Sequence, residues 1–528
     1  MPTKMISRPR QKDQYMSEKP NILFLQVDQL AAAYLRTYGN AICKADNIEA
    51  LAAGGVVFER AYCNFPLCAP SRFSMATGQL CSATGTYDNA AELPATIPTY
   101  AHYLRAAGYQ TALSGKMHFI GPDQFHGFEI RLTADIYPAD YAWVPNWGRE
   151  DNPDVNDPRT LLTSGICERS VQIDYDEEVT FKAVQHLYDI ARSKDARPFL
   201  LQVSYTHPHE PFLCKKEFWD LYGGADIPLP KVPRLGEMEA DPHSLRLMRD
   251  FGILDYDFDD AEIRRAIRAY YGSISYVDQL IGRVLAALRA TGLDKNTAIV
   301  FASDHGEMLG ERGMWFKKSF YEPSARIPLI INAPWIEPSR VDELVSLVDL
   351  LPTFMGLATS GRWGGAVETL EGTDLTTLIA GEGTSRTIYC EYLAEAITAP
   401  IFMIRRGAYK FMSSSTDPVL LYDVEADPDE RNNLASRPQF ASLVAEFETD
   451  VRAKWNEAEL TERILLSQRR RRLVRQAMQS GVPTRWNHDE APGEQVRWYR
   501  SGGYNEWALS FLSTEEGAKG PPPPMRKR

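Results

Sequence analysis

The sequence predicts an α/β fold, a mostly parallel sheet flanked by helices. Three observations carry that expectation. Apolar runs of strand length recur at 21–27, 109–113, 197–205, 297–302 and 327–331, the pattern of strands buried on both faces. Helical periodicity fills the intervals at 99–107 and 266–290. Polar residues follow the carboxyl end of run after run, where open α/β sheets hold their ligands.

Taken in order, the first run, Asn21-Ile-Leu-Phe-Leu-Gln-Val, ends on Asp28. The 99–107 helix feeds the 109–113 strand, which opens into Ser114-Gly-Lys-Met-His118. Strand 197–205 breaks at Thr206-His-Pro-His209, and strand 297–302 stops at Ser303-Asp-His-Gly306. Run 327–331 closes the series. Beyond about residue 380 the strands shorten to 386–391, 401–405 and 409–412, with a turn at Arg406-Gly407, before a helix at 440–454. The expected division is a catalytic α/β domain at 20–380, a small α+β subdomain with an antiparallel sheet at 381–460, and a basic, aromatic tail at 461–528. Within the tail, the run from Arg469 to Arg472 reads as a solvated helix face or a subunit contact. Trp486, Trp498, Tyr499, Tyr504 and Trp507 follow it. Exposed aromatics of this size invite association, so the tail is expected to join copies into a homo-oligomer, a dimer or tetramer. Residues 521–528 are expected to fray.

Composition excludes several classes. The 528 residues are 44% hydrophobic, enough for a large core without staples. A net charge of −12 argues against nucleic acid as a partner, while leaving room for a local positive pocket. Seven scattered cysteines are not a disulfide framework. No run approaches the ~18–20 apolar residues of a membrane span. The polar, basic opening lacks the apolar core of a signal peptide, and Met16 is an alternative start. A cytoplasmic protein is expected.

The densest chemistry lies at Cys68-Ala-Pro-Ser-Arg72. On residues alone two readings stand: a buried cysteine at a strand-to-helix turn, or a thiolate stabilised by the nearby arginine. Asp28, Asp304 and His305 sit just past predicted strands, and hard oxygens with one imidazole suit Ca²⁺, Mg²⁺ or Mn²⁺.

The stretch at Cys68 resembles the sulfatase signature, in which the cysteine is oxidised to formylglycine by a maturation enzyme. The resemblance continues in order through Gly115-Lys-Met-His118, Thr206-His-Pro-His209, Ser303-Asp-His-Gly306, Trp315-Phe-Lys317 and the segment from Leu421 to Leu434. It implies an alkaline-phosphatase-like fold and hydrolysis of a small sulfate monoester at one divalent cation, Ca²⁺ or Mn²⁺. The implied ligands are Asp28, Gln29, Cys68, Asp304 and His305. By resemblance, a gem-diol at position 68 attacks sulfur and Asp304 helps deprotonate it. Arg72 and Lys116 steady the diol, Lys116 and Lys317 neutralise the sulfate, His207 protonates the leaving alcohol, and His118 takes the proton that expels sulfate. His209 has a supporting place, and His126 a structural one.

Within the family the sequence most resembles the choline sulfatases, in Tyr87-Asp-Asn89, Trp143, Trp147, Tyr175-Asp-Glu-Glu178 and the tail. That places Asn89 at the sulfate and Trp143 with Glu395 at a trimethylammonium head. The stretch 152–164 departs from that group, lacking aromatic and histidine residues, and its Arg159 favours an anionic alcohol. The alternatives are a phosphonate monoester or phosphodiester hydrolase with the same site, a thiolate hydrolase, and a catalytically silent binding protein.

Overall fold

The computed structural model describes residues 19–148, 158–383, 385–488, 498–500, 503–514 and 516–517. The expectations for the leader, for residues 152–157 of the 152–164 departure and for 521–528 lie outside the described residues.

Nine strands form the central sheet: β1 (Asn21–Val27), β2 (Val56–Tyr62), β3 (Gln110–Gly115), β4 (Ile130–Arg131), β5 (Phe199–Ser204), β6 (Thr297–Ser303), β7 (Arg326–Ile327), β8 (Leu329–Asn332) and β9 (Ser339–Ser346). Their order is β7-β2-β8-β6-β1-β5-β3-β4, with β9 added on β2. β7 and β8 run antiparallel to their neighbours; every other pairing in the sheet is parallel. Pro328 separates β7 from β8, as a residue without an N–H must.

Both faces of the sheet are covered, which is why β1 reads as an unbroken apolar run. Leu23, Leu25 and Val27 enter one core, and Ile22 and Phe24 enter the other. Helices α3 (Val171–Arg192) and α4 (Asp260–Ala290) cover the first face. α1 (Cys68–Thr77), α2 (Tyr100–Ala106) and α5 (Leu350–Thr359) cover the second. α4 starts on a capping box in which Asp259 and Glu262 satisfy each other's backbone N–H. The sequence reading missed β2 and β9. β9 lies at the edge of the sheet, paired only with β2, and both carry charges (Glu59, Arg60, Arg340, Asp342), so no long apolar run marks them.

A second, antiparallel sheet follows: β10 (Thr387–Tyr392), β11 (Ile401–Arg406), β12 (Tyr409–Ser414) and β13 (Asp417–Asp423). α6 (Ala441–Lys454) packs on it, with Phe447 stacked on Phe411 at 5.3 Å. α7 (Glu457–Gln479) carries the basic run, and here one expectation is corrected. Arg471 is not on a solvated face. It is buried and bidentate on Asp88 at 2.6 and 2.7 Å. The tail aromatics are likewise packed within the chain: Trp498 is 2% exposed, edge-on to Tyr175, and Tyr504 opens α8 (Tyr504–Ala508) as a buried residue. Among the described residues no helix is long and apolar enough to cross a membrane.

Candidate active site

Strand tips assemble the site. Asp28 and Gln29 leave β1, Lys116 and His118 leave β3, His207 to Glu210 leave β5, and Asp304 to Glu307 leave β6. Cys68 is the first residue of α1. Candidate ligand atoms of Asp28, Cys68, Asp304 and His305 all lie within 4.8 Å of one another, in full burial. Cys68 Sγ is 3.2 Å from His305 Nε2 and 3.8 Å from Asp28 Oδ1. His305 Nδ1 lies 3.1 Å from the Gly306 carbonyl; as donor there, it turns the Nε2 lone pair toward the cluster. Burial lowers the His305 pKa and so favours the neutral, ligating ring. The donor set fits a divalent cation.

The carboxylates are charge-balanced. Arg72 donates to Asp28 Oδ2 at 3.1 Å, to Asp304 Oδ2 at 2.8 Å and to the Lys116 carbonyl at 2.6 Å. Lys116 Nζ pairs with Asp28 Oδ2 and sits 4.3 Å over the Tyr137 ring. Burial pushes the Asp28 carboxyl up, but Lys116, His209, Arg72 and His305 together hold it well below the usual carboxylate range. It is anionic at neutral pH.

Gln29, at a left-handed φ of 65°, contributes its backbone N–H to Asp304 Oδ1 at 3.1 Å. Its side chain turns elsewhere. Nε2 donates to Glu210 Oε2 at 2.7 Å and to Glu307 Oε2, and Oε1 accepts from Lys317 Nζ. The amide orientation follows from chemistry, since the reverse would set an oxygen against two carboxylates and an NH₂ against an ammonium. The side chain expected as a fifth ligand is thus occupied by Lys317. Burial, followed by the neighbouring Glu210, pushes the Glu307 pKa up to about 7.

The two histidines after β5 are held differently, and His207 Nε2 is buried without a partner among the described residues. His207 Nδ1 and backbone N both bind Asp176 on α3, at 2.7 and 3.0 Å, and its ring packs on Tyr276. His209 instead lines the pocket, with Nε2 2.7 Å from Lys317 Nζ. His118 is buried with neither ring nitrogen bonded among the described residues, 5.0 Å from Tyr137 and 5.5 Å from Trp143. Burial, and then Lys116, hold its pKa well below the ordinary imidazole value.

Above the cluster lies a small pocket walled by Cys68, Asn89, Tyr137, Trp143, Tyr504 and both Lys317 and Lys318. Asn89 Oδ1 caps the Ala69 N–H at 3.0 Å, beside Cys68. Trp143 stacks on Tyr499 at 5.5 Å and 9°. Glu395 stands behind the wall, with Oε2 4.0 Å from Lys318 Nζ. Arg159 reaches Glu506 on α8 at 3.4 Å. The sequence reading assigned no role to Asp176, Glu210, Glu307, Tyr137 or Lys318. Only the doubled lysine was a visible signal.

Comparison with known proteins follows the same line. The family model described as Sulfatase matches residues 20–360, and one described as N-sulphoglucosamine sulphohydrolase, C-terminal, matches residues 310–457. The chain is 41% identical over 497 residues to a choline-sulfatase of Rhizobium meliloti (strain 1021), covering 92% of this chain and 96% of that one. It is 29% identical to an arylsulfatase of Clostridium perfringens, covering 81% and 92%. Among solved structures it resembles a phosphonate monoester hydrolase from Silicibacter pomeroyi, at TM-score 0.68 and 25% identity, covering 83% of this chain and 95% of that one.

Proposed function

The chain belongs to the sulfatase family of sulfuric ester hydrolases, and from that premise we propose that it cleaves a small sulfate monoester into an alcohol and inorganic sulfate, favouring a choline-sulfate-like ester. Cys68, matured to formylglycine, bears the nucleophile. The observation that carries this reading is the convergence of Asp28, Cys68, Asp304 and His305, ringed by Arg72, Lys116 and Lys317. A Ca²⁺ or Mn²⁺ ion held by those four residues would supply positive charge for the sulfate oxygens and acidify a nearby hydroxyl.

The chain's own groups do the rest. One hydroxyl of the hydrated aldehyde attacks sulfur as Asp304 draws off its proton, and the S–O bond to the alcohol breaks. Lys116 and Lys317 take the charge on the sulfate oxygens. The leaving oxygen receives its proton from the His209–Lys317 pair, whose 2.7 Å contact lies on the pocket wall. His118, buried and neutral, accepts the proton of the second hydroxyl as the C–O bond to sulfate breaks and the aldehyde returns. The rings of Tyr137, Trp143 and Tyr504, with Glu395 behind, support a cationic alcohol head. Seven buried, unpaired cysteines support a reducing, cytoplasmic setting. Leu473 and Val474, exposed on α7, support assembly of copies through the tail.

Co-expression with a formylglycine-generating enzyme, then mass measurement of the Cys68 peptide and assays on choline sulfate and an aryl sulfate, tests the reading. An aldehyde at 68 with no ester cleavage rejects it. A second reading, phosphonate monoester cleavage at the same site, is favoured by the 25% identity to the phosphonate monoester hydrolase. It requires a higher rate on an aryl phosphonate than on the matching sulfate.

A further inference from the structure

A second cavity shares no lining residue with the catalytic pocket. Its volume is about 440 Å³, and its walls carry the rings of Tyr34, Tyr38 and Tyr271 with Pro228, Pro230 and Leu309. Arg312 brings a charge to it. This arginine sits in the loop 308–316 after β6, where the Met308 N–H donates to the Phe316 carbonyl at 2.7 Å and the Gly310 N–H to the Met314 carbonyl at 2.8 Å. A left-handed φ of 61° and a bond from its own N–H to the Val232 carbonyl, 2.7 Å, fix where the side chain starts. The guanidinium lies 4.2 Å over the Tyr321 ring, and Nη1 donates to the Glu430 carbonyl at 2.9 Å. The residue is 7% exposed, yet no carboxylate among the described residues pairs with it, and its Nε has no acceptor. A guanidinium keeps its charge at any ordinary pH, and burying it without a counter-charge is costly. The other charges around the cavity are answered within the chain. Arg326 gives Nε and Nη2 to the Glu59 carbonyl, and Lys410 stands 2.7 Å from Glu322 and 2.8 Å from Glu430. Glu311 accepts from the backbone N–H groups of Lys231 and Val232, and Asp429 accepts from Arg431 at 3.2 Å.

We propose that this cavity is a second binding site, for a flat, ring-bearing monocarboxylate. The carboxylate meets the open edge of the Arg312 guanidinium, and the ring lies among Tyr34, Tyr38 and Tyr271. Three features select that class. A planar carboxylate matches the guanidinium fork. One negative charge is all that Arg312 balances, and Glu311, Glu322 and Asp429 on the same walls oppose a dianion such as phosphate. Tyrosine and proline walls favour a ring over a flexible polar chain. The site takes no part in the ester chemistry, so the proposal stands apart from the sulfate-ester reading.

The probe is 4-iodobenzoate, added to the full chain. Calorimetric titration should show saturable binding with a dissociation constant below about 1 mM, and anomalous scattering from a soaked crystal should place the iodine in the tyrosine-walled cavity. Arg312→Met should weaken binding by about tenfold or more, and Arg312→Lys by less. The uncharged 4-iodobenzamide should bind wild type about tenfold or more weakly than the acid does. If Arg312→Met does not unfold cooperatively, Ala41→Trp, at an exposed position on the cavity wall, blocks the site and carries the same comparison. An affinity for the acid in the substituted protein within about threefold of wild type overturns the site. Iodine in the catalytic pocket alone, or binding at crystal concentration only, overturns it as well.

Discussion

On the wall that carries Asp28, Arg72, Lys116 and Asp304, each charged side chain has a partner within hydrogen-bond reach, and each residue stands at a strand tip or in the first turns of α1. The opposite wall, with Trp143, Tyr504, Lys318 and Glu395, is made from loops and the carboxyl-terminal tail, and holds rings in contact and polar atoms left open. The first wall is preorganised by the sheet for one kind of charge redistribution. The second is assembled from distant segments, where substitution alters the alcohol without disturbing the chemistry. α7 links the two: Arg471 fixes Asp88 beside Asn89, Gln468 accepts from the Trp147 N–H at 3.1 Å, and Arg472 bonds the Pro145 carbonyl at 2.8 Å.

The largest effect that would break this division comes from Cys68→Ala. Turnover should fall by at least about a thousandfold on every ester, with unfolding still cooperative and near the wild-type midpoint. Residual turnover on one ester alone would mean that the alcohol wall does chemistry of its own. Next is Arg471→Met, which strands the Asp88 carboxylate in a buried place and should cost about 3–5 kcal/mol in urea unfolding. Because Asp88 adjoins Asn89, KM should also rise; a change in stability without one would confine α7 to a structural part. The cation comes third. At a hundredfold excess of Ca²⁺ or Mn²⁺ over its dissociation constant, stability should rise by about 2.7 kcal/mol, and chelation should remove that gain. Asp304→Asn should abolish the shift, while Trp143→Leu should keep it. If both variants keep it, the ion binds elsewhere.

Much of the first wall was legible in the sequence, because a strand buried on both faces leaves an apolar run and the residue that ends it is conspicuous. Asp28, Asp304 and the strands read at 21–27 and 297–302 were found in this way, while Lys116 came only through the resemblance. Asp176 was not, since it is one acid among several in the middle of α3 and only the fold sets it on His207. Nor could the pattern His207-Pro-His209 say what holds each ring; a hydrogen bond from His207 Nδ1 to α3 is set by the fold alone. Glu210 and Glu307 gain meaning only through Gln29, the residue that separates them in space. Tyr504 and Trp143 meet across most of the sequence, and nothing local in either predicts the contact.

The smallest effect concerns the backing of the first wall. His126, fully buried, packs on Phe119 at 4.5 Å, next in sequence to His118, with Nδ1 3.5 Å from Asp123 Oδ2. Burial pushes its pKa down to about 4; Asp123 opposes that, and His102 and Arg131 add to it. In the unfolded chain the ring titrates near ~6.5. Between those values the unfolded state binds the proton and the folded state refuses it, so the stability is complete above about pH 6.5 and is lost as pH falls toward 4. By pH 5 the loss should be about 2 kcal/mol. His126→Asn, which tolerates the left-handed φ of 40° at this position, removes the titrating group. Chemical unfolding of both proteins from pH 7 to 5 should therefore show wild type falling more steeply than the variant. Parallel profiles would mean that the folded ring takes up its proton freely, and that the loop carrying His118 is more open to water than the rest of its wall.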